Sequence, residues 1–426
     1  MRSPSTSGPA GAARHGWPQA VVTVLSGLVA MAVVAAFGLW AAGSDDLPGG
    51  VLWRVVAATL VTAVGGVVEM SGNADGLAET DAGLTVIPLS VSLTGALVVA
   101  AGFLRPLRHR AVAGARELAD WAGRIVALWL IALVALTLAA RHTFRVSLGE
   151  GAPADIAELF GVSPKIGFRA DVAATLLFGL MWLVGVLVLA LLVAHGAPLP
   201  ARLLRFAAAV RPAAYAMVAL LLVYVALGVV VGLVVAATRG RPAETFAVLL
   251  LGLPNLVWPA LTLGLGATWE GRVEGPFWLP MPHVLDEVLR GPGVATLNVG
   301  TLAEHDGRAW WLVVVAAVLV TAAGFLTATR SPARTRLWQH AVHLAVALAL
   351  TVLMICLVGR VTAHYGLSVL GIGDLGGDLA GELFLRPRLW AAVGLALLWG
   401  LAAGFLGGLL ARPVGRRGET AAAPKT

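Results

Sequence analysis

The sequence predicts an all-α protein: a polytopic helical membrane bundle of about ten hydrophobic segments, arranged as two pseudo-repeats of five. Three observations carry this. Only 12% of the residues are charged against 59% hydrophobic, with a mean hydropathy of +0.88, whereas soluble domains carry about 25% charged residues. Apolar runs of roughly 20 residues, the length of a membrane-spanning helix, recur along the chain. The pentapeptide AAGFL occurs twice, at Ala100–Leu104, followed by Arg105, and at Ala322–Leu326, followed soon by Arg330.

The ten segments lie near 19–42, 51–68, 86–104, 121–140, 172–194, 214–237, 245–268, 309–328, 341–358 and 389–411. They divide the chain into a polar N-terminus (1–18), a first half (19–195), a basic linker (196–212), a second half (213–411) and a basic tail (412–426). The first run is longer than the 7–15-residue core of a secretory signal, which predicts an uncleaved first helix. Each half has a polar stretch after its fourth segment and a mid-segment tryptophan in its fifth, Trp182 and Trp399. Trp17, Trp40, Trp121, Trp310, Trp311, Trp338 and Trp390 near segment ends predict an interfacial aromatic belt.

Segments two and seven depart from the pattern. Between Arg54 and Glu69 the second has 14 uninterrupted uncharged residues, short for a span. The seventh, containing LLLGLPNLVWPALTLGLG, is split by Pro254 and Pro259. A proline inside a helix removes an N–H and clashes with the preceding turn, at a cost of about 3 kcal/mol or more. Two short arms around PNLVWP therefore predict a re-entrant helix–turn–helix, with Asn255 at the turn satisfying freed backbone groups. The alternative is a full span with a proline kink.

Charge distribution bears on this choice. If all ten segments cross, 15 Lys/Arg fall on each side; if the second and seventh do not, one side holds 17 Lys/Arg and 3 Asp/Glu and the other 13 and 20. The second arrangement obeys the rule that basic residues concentrate in cytoplasmic loops. It places both termini and the RPLRHR loop (105–110) in the cytoplasm. The net charge of +7 is read as this topology signal and not as a nucleic-acid surface.

Motifs that carry chemistry are scarce. There is no GxxxxGK[ST], HExxH, GxSxG or CxxC. Cys356 is the single cysteine and reads as a packing residue. The stretch TWEGRVEGPFWLPMPHVLDEVLRG (268–291) reads as an interfacial loop, or as a lid over the broken segment. HVLDE (283–287) and EHD (304–306) lack recognised metal-ligand spacing. His340 and His343 read as interface packing before they read as a proton path. Gly400, Gly404 and Gly408, like Gly228 and Gly232, read as close helix packing within the chain, with homodimerisation the alternative.

TVIPLSVSLTGALVVAAGFLR (85–105), LLGLPNLVWPALTLGLGATWEGR (250–272) and TLAEHDGRAWWL (301–312) resemble the streptophobe family, strongly hydrophobic multi-pass proteins of actinobacteria. The resemblance runs from about residue 19 to 411 and implies a fold and a bacterial plasma-membrane location, but no chemistry. The loop SLGEGAPADIAELFGVSPK (147–165) is less glycine-rich than that family's pattern, and nothing is carried over for it.

Two function classes follow. One is a non-enzymatic, envelope-associated or accessory membrane protein with no cofactor or metal, whose partner is the lipid bilayer. The other is a secondary transporter or channel for a small solute. Its candidate pathway residues are Pro254, Asn255, Pro259, Glu69 and Glu270. A wet cavity at Asn255 would favour the second class and a dry, filled one the first.

Overall fold

A computed structural model describes residues 16–44, 51–74, 78–107, 115–145, 165–194, 201–238, 240–274, 287–291, 293–332, 335–369 and 381–413. The expected terminal tails and the RPLRHR, glycine-poor and HVLDE stretches lie wholly or largely outside these residues. In chain order the elements are α1 (Trp17–Ala41), α2 (Leu52–Ala63), β1 (Val68–Ala74), β2 (Ala78–Thr85), α3 (Leu89–Leu104), α4 (Ala115–Ala139), β3 (His142–Arg145), β4 (Lys165–Ala170) and α5 (Val172–Val193). They continue with α6 (Ala201–Thr238), α7 (Pro242–Gly264), β5 (Trp269–Val273), β6 (Ala295–Leu297), α8 (Val299–His305), α9 (Trp311–Arg330), α10 (Leu337–Val358), β7 (Val361–Val369), β8 (Gly381–Pro387) and α11 (Leu389–Leu410). Among the described residues nine helices are long and apolar enough to cross a membrane, and α2, with 12 residues, is not. Its roughly 18 Å falls well short of a hydrocarbon core of about 30 Å.

Two features were not anticipated. The linker expected over 196–212 is helical from Ala201, because α6 continues unbroken for 38 residues through Pro212. The polar stretches between segments form an eight-stranded sheet, every paired neighbour antiparallel, in the order β3-β4-β1-β2-β7-β8-β5-β6. β5 alternates, with Trp269 and Val273 buried in one apolar cluster together with Leu297, Ala363 and Leu383. Alternation over stretches this short is easily lost beside runs of 20 apolar residues, yet it buries one face as a period of two demands.

The expected helix–turn–helix at segment seven is not what forms. Residues 242–264 make one helix of 23 residues, α7, with both prolines inside it. The helix stays continuous, as in the kinked-helix alternative, because groups outside it repair the ladder. The Ser90 hydroxyl donates to the Leu249 carbonyl (2.9 Å) and accepts from the Leu253 N–H (3.0 Å). It thus bridges the two groups that a regular turn would join directly, and insertion of this kind is a recognised cause of helix kinks.

The ends of the helices sort into two layers. α2, α4, α7 and α10 run directly into strands, and α3, α5 and α11 directly follow them. α6 begins at the opposite end: an Arg211 Nη2 donates to the Leu191 carbonyl near the end of α5 (3.5 Å), and the Arg330 guanidinium at the end of α9 stacks 3.5 Å over the Tyr215 ring. The α6–α7 pair therefore makes one net passage from the far end to the sheet end, as α1 and α2 do together. α7 is a continuous helix, yet it adds no passage of its own beyond α6. Its second part packs against the sheet-side ends of three helices, at Leu89, Leu312 and Gly359, and Leu250 and Leu251 just before it meet Gly38 of α1. α1 begins and α11 finishes at the far end.

The order of elements in residues 17–193 recurs in 201–410, with α8 as an insertion. The packed helix pairs correspond as well: α1 on α2, α3 and α4, α2 on α3 and α4, and α5 on α3 and α4 are matched by α6 on α7, α9 and α10, α7 on α9 and α10, and α11 on α9 and α10. Local geometry matches residue by residue. Gly65 and Gly266 follow the ends of α2 and α7 at φ +89° and +92°, a left-handed cap that glycine adopts without strain. The next residue in each case donates back to a carbonyl five residues earlier, Gly66 to Val61 and Ala267 to Thr262, both at 2.9 Å. Asp171 donates to the Val67 carbonyl and Arg388 to that of Thr268. On this match α2 corresponds to the part of α7 from Leu253 onward. Pro254 thus sits where α2 begins, and the first turn of a helix is where proline is at home.

Candidate functional site

The site grows from the proline break. Pro254 leaves the carbonyl one turn earlier without its usual donor, in a region where each unmet group costs several kcal/mol. Ser90, in the first turn of α3, is drawn into the opened turn. Asn255 stands one residue beyond the proline. Its Nδ2 donates to the Ile87 carbonyl (2.8 Å) and its Oδ1 accepts from the Leu89 N–H (3.1 Å). The N-cap of α3 is Pro88, which makes no side-chain cap, so Asn255 supplies from another helix the acceptor that the start of α3 needs. The expectation that Asn255 faces protein holds, but the groups it serves belong to the start of α3 and not to the turn freed by the prolines.

A second polar contact lies just beyond Pro259. Thr262 Oγ1 donates to the Pro259 carbonyl (2.7 Å) and accepts from Trp269 Nε1 (2.9 Å), with Thr262 fully buried. Trp258 Nε1 donates to the Leu221 carbonyl (3.3 Å), tying α7 to α6. Thr262, Ser90 and the tryptophan donors were missed in the sequence, because a hydroxyl or indole among apolar residues does not announce its partner.

Of the five predicted site residues, Pro254 and Pro259 are buried in α7 and Asn255 is half-buried beside them. Glu69 and Glu270 are not brought to this place. They occupy matching positions in the sheet, Glu69 opposite Arg169 and Glu270 opposite Arg386. Glu270 is partly exposed and ion-paired with Arg388 (Nε to Oε1 2.7 Å), which heads α11. Arg272 pairs with Glu274 on the same strand side. These two ion pairs are partly exposed, each worth at most about 1 kcal/mol, and they do not form a shared pocket with Asn255.

Other candidates resolve into packing. Cys356 is fully buried in the core of the second half. His340 is buried against Gly404 and Gly408 of α11, and His343 is half-buried. A Cβ at Gly400 or Gly404 would meet the backbone of Ala345 or Ala341, so the glycine run serves α10–α11 contact within the chain. Trp17, Trp40, Trp310, Trp311, Trp338 and Trp390 are exposed as a belt requires. Trp121 is not: it is buried and donates to the Phe103 carbonyl. The two mid-segment tryptophans also donate inward, Trp182 to Ser92 Oγ (2.8 Å) and Trp399 to the Leu265 carbonyl (3.1 Å). Among the described residues no three His, Cys, Asp or Glu side chains come together as a metal site. A shallow groove between α4 and α5 is lined by Leu130, Ile131, Val134, Leu176, Leu177 and Leu180 and is wholly apolar.

Fold and surface define the class: this is a multi-pass helical membrane protein, with bands of exposed valine and leucine on α1, α5, α6, α9, α10 and α11. Compared with protein-family models, with curated proteins and with solved structures, the chain matches none.

Proposed function

We propose that the chain is a non-enzymatic, envelope-associated or accessory protein of the bacterial plasma membrane, related to the streptophobes and built by duplication of a five-segment unit. The observation that carries this reading is the filled state of the proline break. Both polar ends of Asn255 and both functions of the Ser90 hydroxyl are used on backbone groups, leaving that polar centre engaged in holding α3 to α7. Support for duplication comes from AAGFL in α3 and α9 and from the paired hydrogen bonds at Gly66 and Ala267.

A second reading, a transporter or channel for a small solute, has one observation in its favour: the break lies where the two halves meet, the usual place for a transport site. Solvent access decides between them. In a Cys356→Ala background, cysteine at position 90 or 255 is expected to resist small, water-soluble methanethiosulfonates from either side of the membrane. Rapid modification at both positions would favour the transport reading.

A further inference from the structure

The two halves meet through one set of surfaces. α1 and α3 of the first half pack on α7 of the second, α5 packs on α6, and β2 pairs with β7. If the halves were related by a closed two-fold axis, the reciprocal contacts would also be present: α6 and α9 on α2, α11 on α1, and β6 with β3. Among the described residues none of these helix pairs packs along an extended face, β6 pairs with β5 alone and β3 with β4 alone. The junction is head-to-tail and open. It leaves on each chain two unused faces that correspond to the two sides of the junction already made: α9, α11 and β6 at one end, and α1, α2 and β3 at the other.

Resting on the reading of two equivalent halves, we infer that copies of this chain associate head-to-tail in the membrane, with α11 and β6 of one copy meeting α1 and β3 of the next. Heterologous contacts close into rings or run on as open arrays. Because two halves do not close within a chain, the smallest ring holds four halves, which is a dimer. The glycine run of α11 takes no part, since it is consumed against α10 and α9. The surface offered is the opposite one, where Leu398, Leu401, Phe405 and Leu406 are exposed, facing Val22, Leu25 and Val29 of α1. The template for the far-end contact is the meeting of α5 with the start of α6 at Leu191 and Arg211.

The test uses the full chain in native membranes. In a Cys356→Ala background, Val22→Cys and Leu406→Cys are made singly and co-expressed on differently tagged copies. Both positions lie near far ends and are 64% and 49% exposed. Oxidation is expected to link the two tagged copies, and neither variant alone should link to itself. Independently, the unmodified chain extracted with its lipid should have a mass that is a multiple of 43.8 kDa. A monomeric mass overturns the proposal. So does self-linking of either single variant, which would mean a two-fold contact. Superposition of the halves in an experimental structure separates the two ideas: halves that superpose in a monomer sink the assembly alone, and halves that do not superpose sink the duplication.

Discussion

Asn255 clasps the backbone on either side of Pro88: it donates to the carbonyl of Ile87 and accepts from the N–H of Leu89. One side chain on α7 thereby sets the start of α3 and joins the two halves of the chain. Interhelical hydrogen bonds in membranes average near 0.6 kcal/mol and reach about 2.

Asn255→Leu is therefore expected to lower stability by about 1–3 kcal/mol, since it also strands the Leu89 N–H. The single buried thiol of Cys356 provides the measurement, because a thiol-reactive dye reports its exposure on heating. An unchanged melting temperature would mean that the clasp carries no energy.

Ser90 and Pro254 should be coupled. With the proline present, Ser90→Ala leaves the Leu249 carbonyl and the Leu253 N–H without the bridging hydroxyl. With Pro254→Ala the ladder can close on itself and the hydroxyl matters less. A double-mutant cycle is expected to show an interaction of about 0.5–3 kcal/mol, the range for residues sharing one hydrogen-bond network. Additive effects would contradict the bridging role.

How much of this was legible in the sequence depends on range. Segment positions, the weak second segment, the break at PNLVWP and the inward side of Asn255 follow from local composition and from the chemistry of proline. What the break does was not legible, because its partners Ile87, Leu89 and Ser90 lie more than 150 residues away. Two prolines were expected to turn the chain. A serine from another helix instead filled the opened turn and let it continue. The charge count was a better guide than the helix-breaking argument, since the α6–α7 pair makes one net passage even though α7 is unbroken. The sheet went unseen because its cohesion comes from pairing between strands far apart in the sequence, such as β1 with β4, β5 with β8 and β2 with β7, and a single strand carries little of that signal.

Thr262 and Trp269 form the second polar contact of α7, and both are almost fully buried. Thr262→Val would leave the indole N–H of Trp269 without its acceptor. A loss of about 1–3 kcal/mol is expected, and Trp269→Phe in the valine background should recover part of it. Wild-type stability of Thr262→Val would show that the indole finds another acceptor.

Tyr224 gives the opposite sign. It is buried in the core of the second half, in the same apolar cluster as Leu89, Trp258 and Leu261, and its hydroxyl has no hydrogen-bond partner. Removing a buried polar group that is unsatisfied is neutral or stabilising. Tyr224→Phe is expected to melt at the same temperature as wild type or higher. A clear fall would show that the hydroxyl is engaged in the membrane.

Orientation follows from the two layers. The far end of the bundle carries Arg105, Arg116, Arg124, Arg211, Arg330, Arg336 and Arg412 against Glu117 and Asp120, whereas at the sheet end Arg169, Arg272, Arg386 and Arg388 are mixed with Glu69, Asp171, Glu270 and Glu274. Moving the arginine-rich layer across a membrane works against the rule that basic loops remain cytoplasmic. The far end, with the 105–115 connection and both termini, is thus expected in the cytoplasm and the sheet outside. In a Cys356→Ala background, Arg108→Cys should stay unlabelled by an impermeant maleimide in intact cells and label after permeabilisation. Cysteine at Arg388, on the sheet side, should label without it. Labelling of position 108 in intact cells would invert the molecule. It would also remove the charge argument for segments two and seven, leaving the hydrogen-bonded geometry of α7 as the sole evidence for how that pair passes.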